Sequence, residues 1–575
     1  MPETCVSIDL EMTSARSESQ EVIEIAAIKF RGDRVIDSWA TLVRPWSEVP
    51  FGTQVLTGIE PRDLERAPRF DEVAHQLKAF LGSFPLVAHT VSADVGCLRK
   101  QGVVLDNPQY DTFELASILL PQMASYSLAS LVERLGIPFP QQHRAAQDAL
   151  VTKQLFLKLM EIAEDLDLGL IQEINRLLAG HQWPLKSVFR DIEVSKSRNA
   201  LGSSIRAAMA AKAGVDQTDL ELLLAPAGSE EPLHPNRKQE PVDPEPLVEM
   251  LGPDGLFARK LPGFEHREPQ VRMLRAVAEA LNDGKQLMVE AGTGTGKSLA
   301  YLLPSIYFAT RNNQRVVVST NTINLQDQLI QKDLPDLQKV LPISFRATVL
   351  KGRTNYLCLQ RLASLRRRAD LTLTETLALV KILVWLPTTE TGDQSELNLT
   401  DAERAVWSKL YAHPEICTLG TCQYARRGRC FLYRARARAE ASHVIVVNHA
   451  LLLSDVASAS HVLPEYQYLI VDEAHHLEDE ATDQLGYVLQ AKEAFAFLDD
   501  LIPSTTTERR SGLIGEISLH FRGSSCPAAI QREIEQTAHD GIPKVADARA
   551  ALDGFFQTVI GFMAQRPVDN RGYEQ

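Results

Sequence analysis

Residues 4–11 read Thr-Cys-Val-Ser-Ile-Asp-Leu-Glu, and their alternation decides what the first part of the chain becomes. On a strand, residues i and i+2 face the same way. Val6, Ile8 and Leu10 therefore share one face, and Asp9 and Glu11 the other. Two neighbouring carboxylates repel unless a hard cation lies between them, and Mg²⁺ or Mn²⁺ suits oxygen ligands. The alternation resumes in EVIEIAAIKF (21–30) and RVIDSWATLV (34–43), so three strands open the chain as a meander with later helices packed against it. FPLVAH (84–89) is a further short strand. Leu155, Phe156, Leu159, Met160 and Ala163 have helical spacing and close an α/β domain over 1–165.

A chain of 575 residues is too long for one core, and its composition is that of a globular protein. The formal charge of −14 argues against bulk electrostatic attraction to a polyanion, so any nucleic-acid contact must come from local basic patches. No apolar run reaches the ~18 residues of a membrane span, and MPETCVSIDLEMT has neither the basic nor the apolar region of a secretory signal. A cytoplasmic location is expected. Seven cysteines, odd in number and unevenly spread, favour metal ligation or buried thiols over a disulfide framework.

Beyond a helical connector (166–225), residues 226–262 are a proline-rich linker, whose PAGSEEPLHPNRKQEPVDPEP (226–246) should stay extended. A second α/β region begins at 263. Its strands KQLMVEA (285–291), RVVVST (315–320) and YLIVDEA (468–474) alternate with helical sequence, which implies a parallel sheet. Ala291, Gly292, Thr293, Gly294, Thr295, Gly296, Lys297 and Ser298 form a glycine-rich turn between strand and helix. Its backbone N–H groups would cradle the phosphates of ATP, Lys297 would reach the β/γ-phosphates and Ser298 would ligate Mg²⁺. Asp472 ends a buried strand and would hold the same Mg²⁺ through water, with Glu473 orienting the attacking water. Gln270, ahead of the loop, is a candidate for reading adenine.

Cys358, Cys417, Cys422 and Cys430 fall inside this second region, and four thiolates fit either zinc or a [4Fe–4S] cluster. RRGRCFLYRARARAE (426–440) and RLASLRRR (361–368) lie beside them. Arginines interleaved with Phe431 and Tyr433 offer phosphate contacts and base stacking to a single strand.

Asp-x-Glu alone is usually a solvated strand face. Asp94 and Asp148 complete an oxygen-rich set suited to two ions about 4 Å apart, and His143, where a loop enters a helix, is placed to deprotonate water. The segments SIDLEMT (7–13), LVAHTVSADVGCL (86–98), YDTFELA (110–116), YSLASLVERLGI (126–137) and HRAAQDA (143–149) resemble the DEDD exonuclease superfamily in its histidine subtype. The resemblance implies a ribonuclease H-like fold, metal ligation by Asp9, Glu11, Asp94 and Asp148, and His143 as general base. Thr90 and Ala93 depart from the usual His-Asn and aromatic-Asp pattern, which bears on placement of the terminal nucleotide.

Residues 262–480 resemble the DinG branch of XPD-like, superfamily 2 helicases, through VVVSTNTINLQDQLI (316–330), LKGRTNYLCL (350–359), VIVVNHALLL (444–453) and the DEAH box (472–475). That resemblance implies a RecA-like motor (263–350 and 440–480), an iron–sulfur insertion (351–439) at the four cysteines, and a helical arch-like segment (481–575). The whole chain resembles exonuclease-bearing DinG proteins, which act with 3′-to-5′ polarity on single-stranded or tailed DNA. DNA repair is implied by analogy. The rival reading is an ATP-binding, single-strand-binding module with an inactive nuclease domain. No arginine-bearing motif of a second motor domain follows the DEAH box, so weak ATP binding, poor hydrolysis and no unwinding are expected of the 575 residues alone.

Overall fold

The computed structural model describes residues 4–13, 20–140, 142–201, 220, 224, 230–292, 294–368, 370–413, 417, 422–458, 462–486, 489–502, 513–514 and 527–564. Thr293 of the phosphate loop lies outside them, as do much of the connector between 202 and 225 and parts of the helical tail.

The opening residues form a meander of β1 (Cys5–Met12), β2 (Val22–Arg31) and β3 (Arg34–Leu42), paired antiparallel. β4 (Leu86–Ala88) and β5 (Gln109–Asp111) add on parallel to β1, giving the order β3-β2-β1-β4-β5 of a ribonuclease H-like sheet. Val6, Ile8 and Leu10 pack into one core with Leu77, Leu86 and Val95. The other face of β1 is covered too: the long helix Ala145–Asp165 lies across it, and Ser7 Oγ donates to the Ala149 carbonyl at 2.7 Å. Asp9 and Glu11 thus sit under a helix rather than on a solvated face. This difference from a simple amphipathic strand governs their chemistry.

The second sheet is parallel, in the order β7 (Ala347–Val349), β8 (Val444–Asn448), β6 (Val316–Thr320), β9 (Tyr468–Val471). Residues 285–290, expected as a strand, have no regular structure, and Met288 is 97% exposed. Apolar alternation gives a propensity, but a strand exists only through a hydrogen-bonded neighbour. Among the described residues the sheet ends at β9.

The proline-rich stretch has no regular secondary structure over 230–243 but is fastened to the second α/β region. Leu233 N–H donates to the Glu440 carbonyl at 2.9 Å, and Asn282 exchanges two bonds of 2.8 Å with the backbone of Val242. Helix Pro244–Met250 then starts inside the expected linker, because Asp243 caps the Glu245 N–H and proline suits the first helical turn. Residues 4–455 and 462–474 belong to one compact unit. In the other unit, helices Ala491–Leu501 and Ala528–Ala564 pack together, with Arg549 bonded to Asp499 at 2.8 Å.

Candidate functional site

Three elements converge at the end of β1: β1 itself brings Asp9 and Glu11, helix Val91–Lys100 brings Asp94, and the first turn of helix Ala145–Asp165 brings Asp148. His143 precedes that helix in a left-handed conformation (φ 61°), and its N–H donates to Asp148 Oδ2 at 3.3 Å. Ligand atoms of Glu11, His143 and Asp148 all lie within 4.8 Å of one another.

Asp94 and Asp148 are buried and Asp9 and Glu11 half-buried, with too little beside them to neutralise their charge. Burial, then Asp94, Asp148 and Glu11, hold the Asp9 carboxyl well above the ordinary range. Asp94, 6% exposed, is raised by burial and by Asp111 and Glu11, against the lowering effect of the Leu10 N–H and its own N–H. Burial and the charges of Asp148 and Glu24 push Glu11 up to about 7, opposed by Arg144. Burial pushes Asp148 up to about 6, opposed by the N–H and charge of His143. Asp9 Oδ2 and Asp148 Oδ1 are buried with no hydrogen-bond partner among the described residues. Buried polar atoms are normally satisfied, and here the two carboxylates that carry the unmet acceptors also repel each other. The donor set therefore fits divalent cations.

Two neighbours of this centre were not legible as functional residues. Glu24 of β2 stands opposite Glu11, buried, and accepts from Arg144 (2.9 and 3.2 Å) and from the Ala145 N–H (3.0 Å). It ties down the start of the helix that carries Asp148. Asp111 accepts the N–H groups of Thr90 and Val91 at 3.0 Å and caps the next helix through Phe113 N–H at 2.9 Å. It fixes the entry to the Asp94 helix. A charged residue inside the apolar run of β2 was the one available signal for Glu24.

At the phosphate loop, Gly294 and Gly296 have φ of 77° and 78°, the left-handed backbone that glycine adopts without strain. Lys297 starts the helix Lys297–Asn312 and pairs with Glu473 at 2.8 Å, while Tyr301 OH donates to Asp472 Oδ2 at 3.1 Å. Gln270, buried, donates to the Gly296 carbonyl at 2.9 Å and borders a cavity of about 360 Å³ together with Phe257, Phe264, Arg267 and Ser298.

The four cysteines are brought near one another. Cys358 and Cys422 both push the Cys417 thiol up beyond the effect of burial, and burial with Cys417 and Cys358 pushes Cys430 to about 11. No three of these thiols approach within 4.8 Å. The flanking basic stretches are largely absorbed by the fold. Phe431 is buried against Gly392 with Arg434 over its ring, and Arg366 is buried against Glu173. Phe431 is thus a core residue and not a base-stacking surface, a correction that follows from its complete burial.

Fold and site together define a fusion of an exonuclease domain with a DEAD/DEAH-box helicase domain. Residues 6–156 match the exonuclease family profile (RNase_T), and residues 272–400 match that of DEAD/DEAH box helicases. The chain is similar to the 3′-5′ exonuclease DinG of Bacillus subtilis (strain 168), with 28% identity over 98% of this chain and 58% of that protein. It is also similar to the 3′-5′ exonuclease DinG of Staphylococcus aureus (strain USA300), with 28% identity over 84% of this chain and 51% of that one. The chain thus spans between half and three-fifths of these relatives. Among solved structures, exonuclease X in complex with 5′ overhanging duplex DNA aligns at 22% identity with a TM-score of 0.24, over 27% of this chain and 91% of that one. No helix among the described residues is long and apolar enough to cross a membrane.

Proposed function

We propose that this chain is a metal-dependent 3′-to-5′ exonuclease acting on single-stranded or tailed DNA, joined to an ATP-binding helicase module. One observation carries the reading: ligand atoms of Glu11, His143 and Asp148 cluster within 4.8 Å, Asp9 and Asp94 interact with the same charges, and Asp9 Oδ2 and Asp148 Oδ1 are buried without a hydrogen-bond partner among the described residues. Asp9, Glu11, Asp94 and Asp148 would hold two Mg²⁺ or Mn²⁺ ions. Bound there, such ions supply Lewis acidity to a phosphodiester and stabilise its attacking and leaving oxygens. His143 takes the proton of the attacking water on a ring nitrogen, and Asp148, bonded to the His143 N–H, keeps that residue facing the carboxylates. Glu24 and Asp111 position the two helices that deliver Asp148 and Asp94.

In the helicase module, the loop 291–298 holds the ATP phosphates, Ser298 and Asp472 attend its Mg²⁺, and Glu473 orients water. Gln270, at the border of the 360 Å³ cavity, is the candidate for reading adenine. At the cysteines, Cys358, Cys417, Cys422 and Cys430 lie near enough to influence one another, and four such thiolates would hold a [4Fe–4S] cluster or, as the alternative, a zinc ion.

Release of labelled 3′-nucleotides in Mg²⁺, compared between wild type and Asp9→Ala, tests the nuclease. Equal release by both would sink the reading, and with it His143 as base. Iron and sulfide in a 1:1 ratio near four per chain support the cluster; stoichiometric zinc without iron counts against it.

A further inference from the structure

The helicase insertion does not hang from its motor domain; it is built against the nuclease. Asn398 donates its backbone N–H to the Pro121 carbonyl at 3.0 Å, and its amide donates to the carbonyls of Met123 and Ala124 at 3.1 Å. Lys381, 1% exposed in helix Leu373–Trp385, donates to the Asn398 carbonyl at 2.6 Å and pairs with Glu403 at 3.1 Å. Its ammonium also sits over the Tyr126 ring, 5.6 Å from the centroid. A second tie lies farther along, where buried Arg366 meets buried Glu173 at 3.2 Å. Leu115 and Ile118 of the nuclease share one apolar core with Leu379, Leu383 and Trp385 of the insertion.

The contact leads into the catalytic centre. Tyr126 packs edge-on against Phe113 (5.8 Å), and Phe113 edge-on against His89 (5.9 Å). His89 directly precedes Thr90, whose N–H is held by Asp111 at the entry to the Asp94 helix. A buried lysine that satisfies a carboxylate and a carbonyl is costly to disturb, because its partners are then left unpaired in an apolar surround.

We infer that the insertion is a structural wall of the nuclease: residues of the helicase part, Lys381 foremost, position the Asp94 helix through Tyr126, Phe113 and His89. Nuclease and motor segments then work as one rigid body, not as two enzymes on a tether. The catalytic part of this inference rests on the nuclease reading above; the docking does not.

Two measurements on the full chain test it. A specific protease site placed after Glu231 allows the chain to be cut without touching the interface. The two pieces should co-elute after cutting, and in Asn398→Leu combined with Arg366→Gln they should separate. Separation of the pieces with the native interface overturns the docking. In Lys381→Met, hydrogen exchange over residues 91–100 should quicken and the maximal rate of nucleotide release should fall about tenfold with KM little changed. Unchanged exchange over 91–100 overturns the positioning role, whether or not the chain proves to be a nuclease. A chain that does not cut while its exchange responds as expected removes the nuclease reading alone and leaves the wall in place.

Discussion

The nuclease centre and the phosphate loop, both proposed to take charged ligands, arrange their own charges in opposite ways. At the nuclease centre, carboxylates of one sign are buried together and their protonation is pushed upward. At the loop, Lys297 is already paired with Glu473. On the proposed reading, the first site would gain by binding a cation, and the second would exchange the Lys297–Glu473 pair for ATP phosphates. An uncompensated cluster advertises its ligand, whereas a self-paired one conceals it.

The contrast is broken most forcefully by removing members of the first site. Asp148→Ala should weaken Mn²⁺ binding by at least about 100-fold, since ligand loss exceeds the effect of losing a supporting contact. His143→Ala should keep the metal and lower the maximal rate by about 10²–10⁴. Calorimetric metal titration beside single-turnover cleavage separates the two, and a His143 variant with normal rate counts against it as base.

Stability against pH sharpens the same comparison. Glu11 and Asp148 carry folded pKa values of about 7 and about 6, above the ordinary 4.5 and 3.8. The folded state therefore binds more protons than the unfolded chain between those limits, and stability falls as pH rises. The metal-free protein should lose stability from about pH 4 to about 7 and remain level above that. Glu11→Gln should flatten the slope, and Mg²⁺ should reverse it by binding the folded form. A thermal midpoint that rises over this range in the metal-free protein would contradict the buried-carboxylate account.

The loop gives a smaller effect. Both partners of the Lys297–Glu473 pair are partly exposed, so their attraction is screened and modest. Glu473→Gln should free Lys297 and tighten ATP binding about threefold, which fluorescence titration with a labelled nucleotide would register. Weaker binding by that variant would mean the pair does not compete with phosphate. Smallest of all, Met288→Gln should leave the unfolding free energy measured by denaturant titration unchanged within about 0.5 kcal/mol, because the side chain is almost wholly exposed.

Much of the nuclease centre was legible because its residues sit at defined places on periodic elements. The strand alternation places Asp9 beside Glu11, and helical spacing places Asp148 in a first turn. Glu24 and Asp111 were not legible as partners, since each holds the catalytic helices through groups 20 to 121 positions away. The strand expected over 285–291 shows the converse. Its apolar pattern is clear, but a strand needs a neighbour and the described sheet ends at β9. Phe431 and Arg366 carried the composition of a nucleic-acid surface, and packing turned both inward.

The sequence by itself determined the chemical inventory: the carboxylates and histidine, the glycine-rich loop with its lysine, the DEAH carboxylates and the four thiols. These follow from residue type and local period, which the covalent order sets. Only the tertiary structure decided which charges lie together, that Lys297 rests on Glu473, and that Lys381 is buried between Glu403 and the Tyr126 ring. Desolvation and docking depend on what the rest of the chain lays over a residue, and no local pattern contains that information.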